Sequence, residues 1–270
     1  MNNLEKSLLK NPILSALVIV IFCIVAIVYI PPLFVSVDNQ FHKDISHSII
    51  QITLSILILF IIYKCEWIDK IGVTRKFRDW PKKWWAASIP MSLLAILNLT
   101  SVDSSLIVFD IEKLASWIFV NLTTGIFEEL LLRGFCFYLF LKAWSHKNNA
   151  IFKAAIAQAI IFGFAHLINL TIAEPLDVFA QVIYATLFGI GFSGLIAFTK
   201  SLWLPIFIHT LINAASGFGF YFIPDVEMDP TGLSAYIVGI IVISLLCAIP
   251  GLFLLKSANK KLSLENNIHH

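Results

Sequence analysis

The chain has 270 residues, 59% of them hydrophobic and 13% charged, with a net charge of +2. A soluble domain carries about a quarter charged residues, so half that share leaves too little polar surface to cover a globule in water. This excludes a soluble enzyme and predicts an all-α, polytopic transmembrane helical bundle in contact with the lipid bilayer, with no nucleic-acid partner.

Apolar runs long enough for a helix to cross a bilayer, about twenty residues each, recur along the chain. They predict about eight spans in a single integral membrane domain over 1–270, at roughly 13–35, 47–63, 84–98, 114–141, 150–170, 176–199, 201–223 and 235–256. The first run exceeds a signal-peptide core and lacks a small-residue cleavage site, so it is expected to be retained. Between the second and third lies a basic stretch, residues 64–83, which is expected either to lie on anionic headgroups as a short amphipathic helix or to act only as a topology signal. The third span is short and interrupted by Pro90. Small residues such as Ala154, Ala155, Ala159, Gly189 and Ser193 suit close helix packing in the fifth and sixth.

The loops alternate in charge. Lys6 and Lys10, the seven bases from Lys64 to Lys83, then Lys142, Lys147 and Lys153, Lys200, and Lys256, Lys260 and Lys261 fall on one side. Asp38 and Asp44, Asp103 and Asp110, Glu174 and Asp177, and Asp225, Glu227 and Asp229 fall on the other. By the positive-inside rule both termini are cytoplasmic, and an odd span count breaks the alternation. Trp67, Trp80, Trp84, Trp85, Trp144 and Trp203 lie near the expected boundaries, where indole rings prefer to sit. Cys23, Cys65, Cys136 and Cys247 show no paired spacing and read as small core residues. The terminal His269 and His270 carry no argument.

Ionisable residues inside the spans are few: Glu128, Glu129 and Arg133 in the fourth, His166 near the end of the fifth, and His209 in the seventh. Each buried acidic residue or arginine costs about 2.5–3.5 kcal/mol on insertion scales, and such groups mark function. Glu129 and Arg133 stand at i and i+4 and can form an ion pair on one helix face. Glu128 is turned about 100° from Glu129 and has no partner on its own helix. Phe162 and His166 repeat the i, i+4 spacing, as do His209 and Asn213. Three helices thus each offer a polar face. As purely structural devices, the ion pair would fix helix packing, each histidine would be a satisfied core residue and Asn213 an interhelical hydrogen bond. That account leaves Glu128 unexplained.

A carboxylate shielded from water is suited to act as a general base, and a neighbouring histidine can share its hold on a water molecule. Attack of that water on a carbonyl creates an oxyanion, for which an imidazole N–H and the Asn213 amide are available donors. No serine or cysteine is set beside a histidine as a nucleophile; Ser193 and Ser216 read as packing residues. Zinc held by Glu128, His166 and His209 is the alternative, although no HExxH motif is present. A proton-relaying transporter is a weaker fit, since no paired broken helices occur in two equivalent halves. By residue count His166 lies toward the outer end of its span and His209 nearer the cytoplasmic half of its own. Tilt or extension beyond the bilayer must close that gap.

EELLLR (Glu128, Glu129, Arg133), FGFAH (Phe162, His166) and HTLIN (His209, Asn213) resemble the EExxxR, FxxxH and HxxxN motifs, in order, of the CPBP family, the CAAX prenyl proteases and bacteriocin-processing enzymes also called the Abi family. The resemblance covers a catalytic core at about 114–220. It implies an endopeptidase in the bacterial cytoplasmic membrane, acting on a peptide or membrane-anchored protein. It assigns Glu128 and His166 to the catalytic water, His209 and Asn213 to the oxyanion, and Glu129, Arg133 and Phe162 to support, with no cofactor. A non-catalytic immunity or scaffold protein is the reading from a different class.

Overall fold

The computed structural model describes residues 1–33, 39–100, 102–224 and 232–268, with side chains described to residue 260. Asp38, Asp225, Glu227, Asp229, His269, His270, the Lys261 side chain and the end of the first expected span therefore lie outside the described residues.

Every regular element is helical among the described residues. A short α1 (Asn3–Lys10) precedes α2 (Pro12–Tyr29), α3 (Gln40–Lys64) and α4 (Trp84–Thr100). The next helix is continuous but changes its winding, running as α5 (Ile111–Glu129), a π-helix (Leu130–Phe137) and α6 (Tyr138–Ala143). Then come α7 (Ala150–Ala165) with a 3-10 turn (His166–Thr171), α8 (Pro175–Thr199), α9 (Trp203–Phe222), and α10 (Leu233–Ile243), which passes through a second π segment into α11 (Ile249–Ile268). Helices dominate because a backbone surrounded by lipid must satisfy its polar groups within the segment. Their starts carry expected signals: Asn39 accepts from the His42 N–H, Asp110 from those of Glu112 and Lys113, and Pro175 opens α8.

Six described helices are long and apolar enough to cross a membrane, and Trp84–Thr100 is a shorter apolar helix. The helix from Ile111 to Ala143 carries the charges that the sequence singled out. Large apolar side chains on its neighbours, such as Ile13, Phe22, Ile56 and Phe60, face outward, as lipid contact requires. One buried cluster joins α2, α3, the π-helix and α7; a second joins α4, α8, α9 and the π segment after α10. The four cysteines are free and buried. Ser193 accepts a hydrogen bond from Gln158, which also donates to the Gly189 carbonyl, tying α7 to α8.

The stretch 64–83 is not an amphipathic helix. It forms turns and a 3-10 segment, Phe77–Asp79, because it is held by the protein rather than by a lipid surface. Trp67 in it is not a boundary indole either: it is buried against Phe135 and Tyr138, and its Nε1 donates to Glu5 Oε1 at 2.8 Å. Glu5 in turn lies 2.5 Å from Lys142 Nζ, so α1, unforeseen in the sequence, is latched to the end of the charged helix.

The same stretch also packs against the start of α9. Gly72, at φ +81°, accepts from the Leu202 N–H at 3.3 Å, and Trp203 Nε1 donates to the Val73 carbonyl at 2.8 Å. A Cβ on Gly72 would fall 2.4 Å from the Lys200 carbonyl oxygen, so only glycine fits this crossing. Ser201 and Leu202 are consequently buried under the 71–73 turn, while Trp203, which opens α9, is exposed.

Candidate active site

The continuous helix from α5 presents two adjacent carboxylates to different surroundings. Glu129 and Arg133 are both 0% exposed, joined by a 2.9 Å contact between Oε1 and Nη1. The guanidinium lies between two aromatic rings, 4.8 Å from the Phe162 centroid and 5.2 Å from that of Phe192. Such placement offsets part of the desolvation of a buried cation. Glu128 keeps 23% of its side chain exposed and faces a cavity.

His209 links the two carboxylates. Its Nδ1 is 2.7 Å from Glu129 Oε1, and its Nε2 is 3.5 Å from Glu128 Oε2. Glu129 therefore sits between the arginine and the imidazole and fixes the orientation of both. Glu128, which has no partner on its own helix, finds this one on α9. The approach of α5 to α9 depends on Gly125, where an added Cβ would meet Thr210 Oγ1 at 2.2 Å and the Thr210 nitrogen at 3.2 Å.

His166 stands where α7 tightens into its 3-10 turn. Its Nδ1 is 2.9 Å from the Phe162 carbonyl oxygen, so this nitrogen donates and Nε2 remains for other partners. The Phe162 ring contacts His166 (5.1 Å between centroids) and His209 (6.2 Å), separating the two imidazoles from the apolar core. Asn213 lies one turn after His209 and makes no side-chain hydrogen bond among the described residues.

Glu128, His166, His209 and Asn213 line one cavity of about 610 Å³, with Phe162 in its wall. The rest of the lining is mostly apolar, from α4, α8, α9 and the α10 region, and includes Leu94, Phe188, Ile212 and Val242. A second cavity of about 560 Å³, between α2, α3, α5 and α7, shares Thr124, Glu128, Phe162, His166 and Gln181 with the first. Glu128 and His166 thus stand where two chambers adjoin. Arg133 and Glu129 lie behind this wall.

Sequence reasoning missed Phe192, whose ring packs on both Arg133 and His209 (5.4 Å). It also missed Gln51, which bridges Thr123 and Thr124 from α3. A glutamine inside an apolar run was a visible signal; one phenylalanine among 23 was not. As to zinc, no group of three histidine, cysteine, aspartate or glutamate side chains suited to hold a metal occurs among the described residues. Both ring nitrogens of His209 face carboxylates, Glu129 at 2.7 Å and Glu128 at 3.5 Å.

No curated protein and no solved structure matches this chain. A family model does: residues 110–215 match that of the Rce1-like, type II CAAX prenyl endopeptidases. The matched segment runs from the cap of α5 to the middle of α9. The stretch that carries all three motifs is therefore the stretch that matches the Rce1-like peptidases, and the resemblance read from the motifs is borne out.

Proposed function

We propose that this membrane protein is an intramembrane endopeptidase that hydrolyses a peptide bond in a membrane-associated peptide or protein through water activated by Glu128 and His166, without a bound metal. The observation that carries the reading is the shared cavity, in which a partly exposed carboxylate, two imidazoles and an amide from three helices line one space.

In this mechanism Glu128 and His166 Nε2 hold a water beside the scissile carbonyl. Glu128 takes one proton as the oxygen attacks, and it returns a proton to the departing amine as the C–N bond breaks. The Asn213 amide N–H donates to the oxyanion, joined by His209 from Nε2 when that nitrogen carries a proton. Glu129 holds the His209 ring by accepting from Nδ1 and is itself held by Arg133. A preorganised donor that need not reorient during the reaction is worth far more in a water-poor site than in solution. The cell membrane, here the bacterial cytoplasmic membrane, supplies both the solvent and the substrate.

The test compares host membranes containing wild type or Glu128→Gln at matched levels and maps newly formed peptide termini. Termini present with wild type, lost in the variant and unchanged by a chelator support the proposal. Loss on chelation would instead restore the zinc mechanism. Identical profiles, with a deletion strain still showing a phenotype, would make the protein a binding or immunity factor.

A further inference from the structure

Arg133 carries more hydrogen-bonding capacity than the ion pair uses. Its Nη1 meets Glu129, while Nε and Nη2 are buried with no hydrogen-bond partner among the described residues. The rings of Phe162 and Phe192 lie against the guanidinium and offer it no oxygen. A buried donor left unpaired bears its full desolvation penalty, so two of them on one buried cation call for an explanation. Nε and Nη2 are also the pair whose N–H bonds point the same way. That fork takes two oxygens of a single oxyanion.

A small cavity of about 80 Å³ lies against this residue and shares no lining residue with either chamber of the candidate active site. Arg133, Phe137 and Leu141, four residues apart on the charged helix, line one wall, so the cavity runs from the guanidinium toward the basic end of the bundle. Lys70, from the 64–83 stretch, and Lys200, at the end of α8, also line it, and both are exposed. The wall thus holds three basic side chains and no aspartate or glutamate. Asp69, next to Lys70 in the chain, accepts from Thr74 Oγ1 at 2.8 Å, and Glu5, at the same end of the bundle, is held by Lys142 and Trp67. One water needs about 10–15 Å³ of such space, so the cavity admits a tetrahedral oxyanion.

We propose that this cavity is a phosphate-type oxyanion site, in which the Arg133 fork takes two oxygens at the inner end and the Lys70 and Lys200 ammonium groups hold the anion at the mouth. Inorganic phosphate and the headgroup of an anionic phospholipid present the same oxygens, and the test separates them. The site does not depend on the peptidase reading. Because Arg133 holds Glu129, and Glu129 holds His209, a bound anion ties the chain at Lys70 and Lys200 to the ion pair behind the active site.

The chain has three arginines, Arg75, Arg78 and Arg133, so protein labelled with heavy nitrogen at the arginine Nε gives three N–H resonances. The Arg133 resonance is the one that remains in the Arg75→Lys, Arg78→Lys double variant. The full chain in dodecyl maltoside, a detergent without phosphate, is titrated with inorganic phosphate or with dioctanoyl phosphatidylglycerol, sodium chloride holding the ionic strength constant. The Arg133 resonance is expected to move saturably and much further than the other two, and the compound that saturates it at the lower concentration identifies the source. Lys70→Gln should weaken binding by about fivefold. Lys200→Asn, which keeps a residue tolerant of the left-handed φ of 56° at that position, should do the same. Ala197→Leu, which fills the cavity, should abolish binding. An Arg133 resonance that neither compound moves, equal movement of all three resonances, or an affinity unchanged in both lysine variants overturns the site. The first two outcomes are read in the parent protein and stand even if a variant folds poorly.

Discussion

Glu128 and Glu129 are neighbours in sequence with opposite expected behaviour. Glu129→Gln removes the charge that compensates a fully buried Arg133, a change that costs about 3–5 kcal/mol. A large drop in thermal unfolding temperature in detergent is the expected result. Glu128→Gln leaves that pair intact, so unfolding should change little while hydrolysis falls by about 10²–10⁴, the range of a general base. Asn213→Ala, which removes a proposed oxyanion donor, should lower kcat by about 10²–10³ with KM little changed. Steady-state kinetics on a substrate found by terminus mapping separates these cases. The motif residues were legible because i, i+4 spacing on one helix can be read without knowing its neighbours. The contacts of His209 with both glutamates were not legible, because they depend on where α9 meets α5. Phe192 was hidden for the same reason.

Between elements, the proximity of Glu128 to His209 depends on how closely α5 and α9 approach. In Gly125→Ala the Thr210 hydroxyl can turn aside, but its backbone nitrogen, 3.2 Å from the new methyl, cannot. The helix must shift by a few tenths of an ångström, and misplacement of about 1 Å at a reacting group costs about 10²-fold. We expect activity to fall at least tenfold with a smaller effect on unfolding. Thr210→Ala should partly rescue it by removing the nearest atom, which is a coupling that a double-mutant cycle measures. The winding of the charged helix bears on the same geometry. It passes into a π-helix at Leu130, directly after the glutamates, and π segments recur at functional sites. No periodicity in the sequence announces that change, because the apolar residues of 130–137 fill the surface under either winding.

For the whole molecule, the apolar runs and the charge alternation made the helical membrane bundle legible, whereas α1 and the 64–83 stretch were not. The latter look like charged, solvent-bound chain, yet Glu5, Trp67 and Lys142 join them to the core. Burial pushes the Glu5 carboxyl up, but the hydrogen bonds from Lys142 and Trp67 outweigh it and hold the group below the ordinary glutamate range. A carboxylate with a lowered folded pKa stabilises the protein above its unfolded value, near 4.5, and the contribution disappears as pH falls through the folded value. Wild type should therefore unfold at a higher temperature than Glu5→Gln at pH 7, and the difference should close below about pH 4.

The packing of the 71–73 turn on the start of α9 also bears on how the protein is made. This helix is the least apolar of the six candidate spans, and it carries His209 and Asn213. Leaving the ribosome alone, it would hold to lipid less firmly than the other five. By the time it emerges, α5 and the 71–73 turn that receive it have already been synthesised. The order of the chain thus supplies the solvent for its own most polar span, and the catalytic groups meet only when the last third of the polypeptide closes onto the first half.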